Sequence, residues 1–250
     1  MSIKDAVHPV IREARATVLP DPADRHGPLP PLMLALTVVT GLVDAFSYLV
    51  LGHVFVANMT GNVVFAGFAV AGAAGFSLAA SLAALAAFGV GALLGGRIAH
   101  RARDHRGRVL HLALVVQTVL FLAAYAVARY GDPLDATGTR YQLIVLLGLA
   151  MGVQNATARA LAVPDLTTTV LTLTITGMAS DSRVAGGAGG RTGRRALSAL
   201  AMFAGALVGA FAVRFGSPDL PLLLATVLLA GCALDAFALS RSEARWAAPL

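Results

Sequence analysis

A few polar residues interrupt an otherwise apolar chain, and their types and order define the chemistry open to it. Asp44 stands in Val43-Asp44-Ala45-Phe46, inside a long hydrophobic stretch. A carboxylate deep in a bilayer costs about 2.5–3.5 kcal/mol on insertion scales, so it must face protein or water. There it can bind a proton or cation, or simply brace a neighbouring segment. Asn58, Thr60, Gly61 and Asn62 form a compact cluster downstream. Pro164, Asp165 and the threonines 167, 168, 169, 172, 174 and 176 form another. Short hydroxyl and amide side chains suit helix N-caps. Two chains that enter extended and return as helices would bring two helix N-termini to mid-membrane. Their partial positive charge suits a small anion or a solute carboxylate. The reverse order, helix first, would aim carbonyls inward and favour a cation, and the residues alone leave the order open. Asn155 and Arg159 lie one helical turn apart. Arg159 either supplies a counter-charge to the same cavity or snorkels to the interface. The candidate solute-binding residues are therefore Asn58, Thr60, Gly61, Asn62, Asn155, Thr168, Thr169 and Thr172, with Asp44 and Arg159 as candidates for ion or proton coupling. The plain alternative is that both clusters only satisfy broken backbone.

The composition excludes most other settings for these groups. Hydrophobic residues are 57% of 250, and charged residues only 13%, about half the share of a soluble domain. A disordered chain, a disulfide-built secreted domain and an ordinary soluble enzyme are ruled out. Cys232 is the one cysteine and cannot pair within the chain. The one lysine, Lys4, excludes a lysine-bearing phosphate loop, and the glycine run at 186–193 reads as a flexible linker. No nucleophile–base pair, HExxH or GxSxG pattern is present, so neither enzyme chemistry nor a cofactor is expected. His100, His105 and His111 lack companion ligands for a metal. Asn58 and Asn155 fit glycosylation sequons, but at membrane depth they cannot be acceptors. The net charge of +6 reads as membrane topology and contact with lipid, with no nucleic-acid partner.

Eight hydrophobic segments position the polar clusters: 31–51, 54–73, 77–99, 109–130, 141–161, 164–181, 194–213 and 219–240. A spanning helix needs about 20 apolar residues. If all eight cross, with the amino terminus inside, lysines and arginines divide 12 inside to 7 outside. If 54–73 and 164–181 enter and leave by one face, six cross and the division becomes 16 to 3. Cytoplasmic loops retain these residues, and irregular backbone at depth is tolerated where protein or water satisfies it. The expected fold is an all-α membrane protein of six transmembrane helices plus two re-entrant segments, with eight crossings as the alternative. Residues 1–30 read as a cytoplasmic tail without a signal peptide, carrying a short surface helix at 3–17, and 241–250 as a second cytoplasmic tail.

The polar residues also carry a repeat. Gly41-Leu-Val-Asp44-Ala45 matches Gly152-Val-Gln-Asn155-Ala156 at an offset of 111. Thr60-Gly-Asn62 matches Thr172-Leu-Thr174 at 112, and Gly91-xxx-Gly95 matches Gly205-xxx-Gly209 at 114. Halves 31–130 and 141–240 each read as helix, broken segment, helix, helix. Three crossings per half turn the second half upside down, an inverted repeat. By this correspondence Asp44 and Asn155 flank one cavity. The GxxxG pairs, with Ser81 and Gly89, read as helix-packing faces that could also serve a homodimer. Gln117 reads as an interhelical hydrogen bond, and Asp235 as a carboxylate near the cytoplasmic interface.

The stretch Gly41-Leu-Val-Asp-Ala-Phe-Ser-Tyr-Leu-Val-Leu-Gly-His-Val-Phe-Val-Ala-Asn-Met-Thr-Gly-Asn62 closely resembles the signature of the YoaK-like bacterial membrane proteins, a domain-of-unknown-function family. Gly152-Val-Gln-Asn-Ala156 and its threonine run resemble that family's second block. The resemblance covers roughly 32–240 and implies a multi-pass inner-membrane protein of about six helices. It carries no activity and no site residues. The residues themselves point to a small secondary transporter or permease for a small polar or anionic solute, working by alternating access in the lipid bilayer. A non-transporting scaffold or regulatory protein is the alternative. A cavity bounded by both broken segments separates the first from the second, whose centre would be close-packed.

Overall fold

The computed structural model describes residues 3–21, 23–131, 137–169, 171–182, 185–187 and 190–250. Residues 188–189 of the glycine run and Val170 of the second broken segment lie outside these. Nine α-helices are present among the described residues: α1 (Ile3–Val18), α2 (Leu29–Val50), α3 (Met59–Val70), α4 (Leu78–Arg101), α5 (Arg106–Tyr130), α6 (Thr137–Leu161), α7 (Leu171–Ser180), α8 (Thr192–Phe215) and α9 (Leu220–Leu239).

Local chemistry sets several boundaries. Prolines sit in the first turns of α2 and α9, where a missing N–H costs nothing. The Ala80 N–H donates to Ser77 Oγ at the start of α4, and the Arg108 N–H to His105 Nδ1 at the start of α5, both at 3.2 Å. α2 ends because Gly52 takes φ 79°, letting the His53 N–H donate to the Tyr48 carbonyl at 3.1 Å. This left-handed cap is a position that favours glycine. The cap of α8 comes from far away in sequence. Glu13 of α1 accepts from the N–H groups of Arg191 and Gly193, at 3.2 and 3.0 Å, so the surface helix is pinned to the bundle.

Six helices, α2, α4, α5, α6, α8 and α9, are 20 to 25 residues long and apolar enough to cross a membrane. Their outward side chains include Leu82, Leu93, Val119, Phe203, Val227 and Leu234, all well exposed, while Thr37, Thr40, Gln117, Gln154 and Thr157 are buried. A soluble bundle would reverse that arrangement. α3 has 12 residues and α7 has 10. At 1.5 Å per residue they reach about 18 and 15 Å, short of a hydrocarbon core of about 30 Å.

The short helices belong to hairpins that return to their own face. His53 Nδ1 lies 3.1 Å from the Gly75 carbonyl, so the chain leaving α2 and the chain entering α4 meet at one end of the bundle. Arg140 donates to the Gly52 carbonyl at that same end, and Arg129 pairs with Asp219 at 3.9 Å. At the opposite end, Arg106 donates to the carbonyls of Arg25, Leu161 and Trp246. There Arg195 ties Asp165, entering the second hairpin, to Asp181, leaving it, at 2.9 and 2.7 Å.

The halves interlock instead of standing side by side. α2 packs on α8 and α4 on α6. A Cβ on Gly91 would collide with the Leu149 carbonyl, and one on Gly205 with the Val38 carbonyl. Likewise Gly152 abuts the Phe88 carbonyl, and Gly41 the Met202 carbonyl. Gly95 and Gly209 close on Val153 and Leu42. Each contact maps onto its partner by offsets of 111 and 114, so the repeat is three-dimensional and inverted. The GxxxG glycines are thereby spent inside the chain and are not free to build the homodimer face considered above. Gly89 faces open space.

Candidate functional site

The extended chain after Gly52 must satisfy its backbone below the membrane surface. Asn62, with no exposed surface, does this for the first hairpin. The Phe55 N–H donates to its Oδ1 at 2.9 Å, and its Nδ2 donates to the Phe55 carbonyl at 2.6 Å. One side-chain amide thus replaces a strand partner. The Ala57 N–H donates to Asp44 Oδ1 at 3.1 Å, with the amides of Val56 and Asn58 turned toward the same carboxyl group. Asp44 stands six residues before the end of α2, which puts the tip of the hairpin about 10 Å below that end. α3 begins there. Asn58 occupies its N-cap position without a side-chain capping bond. The rings of Tyr48, Phe55, Phe65 and Phe76 stack or tilt against one another at 5.2–5.5 Å and close the hairpin.

The second hairpin occupies the corresponding place with a different backbone and different groups. Thr169 Oγ1 donates to Asn155 Oδ1, and Asn155 Nδ2 donates to the Met151 carbonyl at 2.9 Å. Gln154 Nε2 reaches Thr168 Oγ1 at 3.2 Å, Thr40 Oγ1 at 2.9 Å and the Leu36 carbonyl at 3.3 Å. Gln154 is fully buried and ties the second hairpin to α2 of the other half. Thr168 holds φ 65° while buried, a conformation that costs a β-branched residue about 1–3 kcal/mol and needs such surroundings. Ions replace the aromatic rings at the mouth. Arg195 binds Asp165, Asp181 and the Gly177 carbonyl, and its hydrogen bond holds the Asp181 carboxyl below the usual carboxylate range.

In both hairpins a non-helical segment precedes the helix, so both helix N-termini point into the bundle. Two cavities adjoin them. The first, of about 540 Å³, is walled by Gly41, Asp44, Asn58, Thr60, Gly61, Thr169 and Thr172, with Met202 and Ala206 of α8. The second, of about 830 Å³, is walled by Phe88 and Ala92 of α4, Asn155, Arg159, Thr167 and Thr169. Phe88 and Ala92 correspond to Met202 and Ala206, and Asn155 to Asp44. The cavities are therefore pseudo-symmetric, and Thr169 borders both.

The expected cluster is thus brought together only in part. Asp44, Asn58, Thr60, Gly61, Thr169 and Thr172 share the first cavity. Asn155 and Arg159 share the second, so Asp44 and Asn155 flank two cavities and not one. Asn62 and Thr168 are buried behind the walls, with their polar groups engaged by Phe55 and Gln154. Gly61 earns its place on shape: a Cβ there would lie 2.7 Å from the Phe55 ring. Gln117 does not bridge helices. Its Nε2 donates to Ala113 of its own helix, at 3.3 Å, and the interhelical amide is Gln154. Asp235 borders a separate groove between α2 and α9. The sequence signal for Gln154 was its place beside Asn155 in the repeat; its reach to Thr40 had none.

Replacing Asn62 with Ala orphans the N–H and carbonyl of Phe55 at depth. At about 1–3 kcal/mol per unsatisfied group, the purified variant is expected to lose about 2–6 kcal/mol of stability. A thermal unfolding midpoint equal to the wild type's would show that Phe55 finds other partners.

Fold and site together define an all-α multi-pass membrane protein made of two inverted halves, each carrying a hairpin whose tip borders a cavity. The chain matches the family described as "Protein of unknown function (DUF1275)" over residues 32–234, and it belongs to that family. It is also 31% identical over 153 residues to the UPF0700 transmembrane protein YoaK of Bacillus subtilis (strain 168), a match covering 60% of this chain and 65% of that protein's length. The YoaK-like resemblance of 41–62 and 152–156 agrees with both. No solved structure matches the chain.

Proposed function

We propose that this protein is a small secondary transporter or permease for a small polar solute, acting as a multi-pass protein of the bacterial inner membrane with both termini cytoplasmic. The orientation rests on the charge split of 16 lysines and arginines to 3 and the positive-inside rule. The transport reading rests on one observation: a cavity of about 540 Å³ whose polar wall comes from both hairpins, with Asp44, Asn58 and Thr60 on one and Thr169 and Thr172 on the other. A scaffold has no need of an open polar volume between its two halves.

The wall chemistry narrows the solute. Asp44 is the only charged side chain on it among the described residues and suits an ammonium or other donor group. The first turns of α3 and α7 supply Thr60, Gly61 and Thr172, and helix N-termini suit a carboxylate or another acceptor. A solute bearing both kinds of group, of amino-acid size, fits this wall better than a purely anionic one. Alternating access would then be the rocking of one interlocked half against the other about the hairpins.

The test is a thermal-unfolding screen of the purified protein against amino acids, small amines and small carboxylates, followed by proteoliposome uptake of any stabilising solute. A selective ligand of the folded state raises its stability by RT ln(1 + [L]/Kd). A stabilising solute that is also taken up supports the permease. No shift and no uptake across the panel favours the scaffold.

A further inference from the structure

A third pocket lies far from the hairpin tips, at the end of the bundle where Arg106, Leu161 and Trp246 meet. It measures about 330 Å³, and among the described residues its wall includes Arg25, His26, Arg106, Arg245, Trp246 and the last residue, Leu250, but no aspartate or glutamate side chain. Arg106 is the anchor, with 8% of its surface exposed. Its guanidinium donates to the carbonyls of Arg25 (3.2 Å), Trp246 (3.4 Å) and Leu161, and meets His26 Nδ1 at 3.3 Å. These are neutral acceptors. Among the described residues, no carboxylate forms an ion pair with Arg106, Arg25 or Arg245. The nearby Asp24 carboxylate is exposed and turned back on the His26 N–H, at 2.8 Å. Burial, then the charge of Arg106, holds the His26 imidazole below its ordinary value, which keeps Nδ1 able to accept from the guanidinium.

Hydrogen bonds to carbonyls satisfy the N–H groups of a buried arginine but leave its charge uncompensated, an expensive state in a confined site. Two further arginines, Arg25 and Arg245, line the same small volume. Three arginines lining one pocket, none of them ion-paired with a carboxylate among the described residues, form an arrangement that binds phosphate oxygens through forked, charge-assisted hydrogen bonds. We propose that this pocket binds a phosphate-bearing anion, either a free phosphate or the phosphate of an anionic lipid headgroup. The site is separate from the cavity at Asp44, and it does not depend on the chain transporting anything.

Arg25 and Arg245 are exposed, and the fold uses the Arg25 carbonyl, not its side chain, so an Arg25→Gln/Arg245→Gln double variant keeps every backbone contact of Arg106. The full chain in detergent is titrated with sodium phosphate, against sodium chloride at matched ionic strength, and the unfolding midpoint is read. In a second arm, native mass spectrometry measures retention of phosphatidylglycerol after extraction from nanodiscs of phosphatidylcholine with and without that lipid. The expected result is binding by the wild type in at least one arm and an affinity about tenfold or more weaker in the double variant, with the midpoint in chloride unchanged. A response to phosphate assigns the free ion, and a response only to phosphatidylglycerol assigns the lipid. Equal behaviour of wild type and variant in both arms overturns the proposal. Arg106→Gln, which loosens four partners, serves only as a check on folding.

Discussion

Asp44→Asn is expected to bind the solute identified by the stability screen about ten- to a hundredfold more weakly and to reduce its uptake to the level of protein-free liposomes. Asparagine keeps an oxygen where the Ala57 N–H donates at 3.1 Å, so the hairpin persists and the variant folds. What disappears is the only charge on the cavity wall among the described residues. A hydrogen bond to a charged group contributes about 1.5–3 kcal/mol, which converts to that loss of affinity. Asp44→Ala loses the same affinity and in addition leaves Ala57 without its acceptor, so it also unfolds more easily. Full binding and uptake by Asp44→Asn would remove the carboxylate from the mechanism. Tighter binding by that variant would mean that the solute is anionic and that the helix N-termini do the recognition alone.

The second large effect concerns the interlock of the halves. Gly91→Leu and Gly205→Leu are expected to leave no monodisperse folded protein, because each new side chain would start inside the backbone of the facing helix, at Leu149 and Val38 respectively. Even Gly91→Ala and Gly205→Ala should each cost about 1–3 kcal/mol or more through overpacking, and by similar amounts, since the contacts are related by the repeat. Gly89→Ala and Gly96→Ala are the controls: nothing lies within 4 Å of either new Cβ, and alanine is the better helix former by about 1 kcal/mol. Size-exclusion profiles and unfolding midpoints in one detergent measure all four. If Gly91→Ala behaves like Gly89→Ala, the α4–α6 contact is misplaced and the inverted interlock fails with it.

Much of the architecture was legible because hydrocarbon imposes simple demands. Charges cluster where the chain leaves the membrane, and two segments too polar for a plain span, 54–73 and 164–181, stand at matching places in a repeat. The site was legible only as a neighbourhood. Asn58, Thr60 and Asn62 look alike in sequence, each a small polar residue near a helix start. Yet Thr60 borders the cavity, Asn58 caps nothing with its side chain, and Asn62 is consumed by Phe55. An amide goes to whichever backbone group is left unpaired nearby, and that depends on where the loop seven residues earlier runs. The two mouths, aromatic in the first half and ionic in the second, show the same point: corresponding hairpins are closed by unrelated side chains.

Sequence alone determined that the chain is membrane-embedded, that its charge split favours six crossings over eight, and that its halves repeat, with opposite sense when six cross, because length, hydropathy and charge act without reference to any partner. Tertiary structure decided that the hairpins place their helices second and present helix N-termini inward, that Asp44 and Asn155 serve two cavities, that Gln154 joins the halves, and that the GxxxG glycines are used within the chain. Each of these depends on which groups approach within a few ångströms across more than a hundred residues of sequence, a relation that periodicity and composition do not encode.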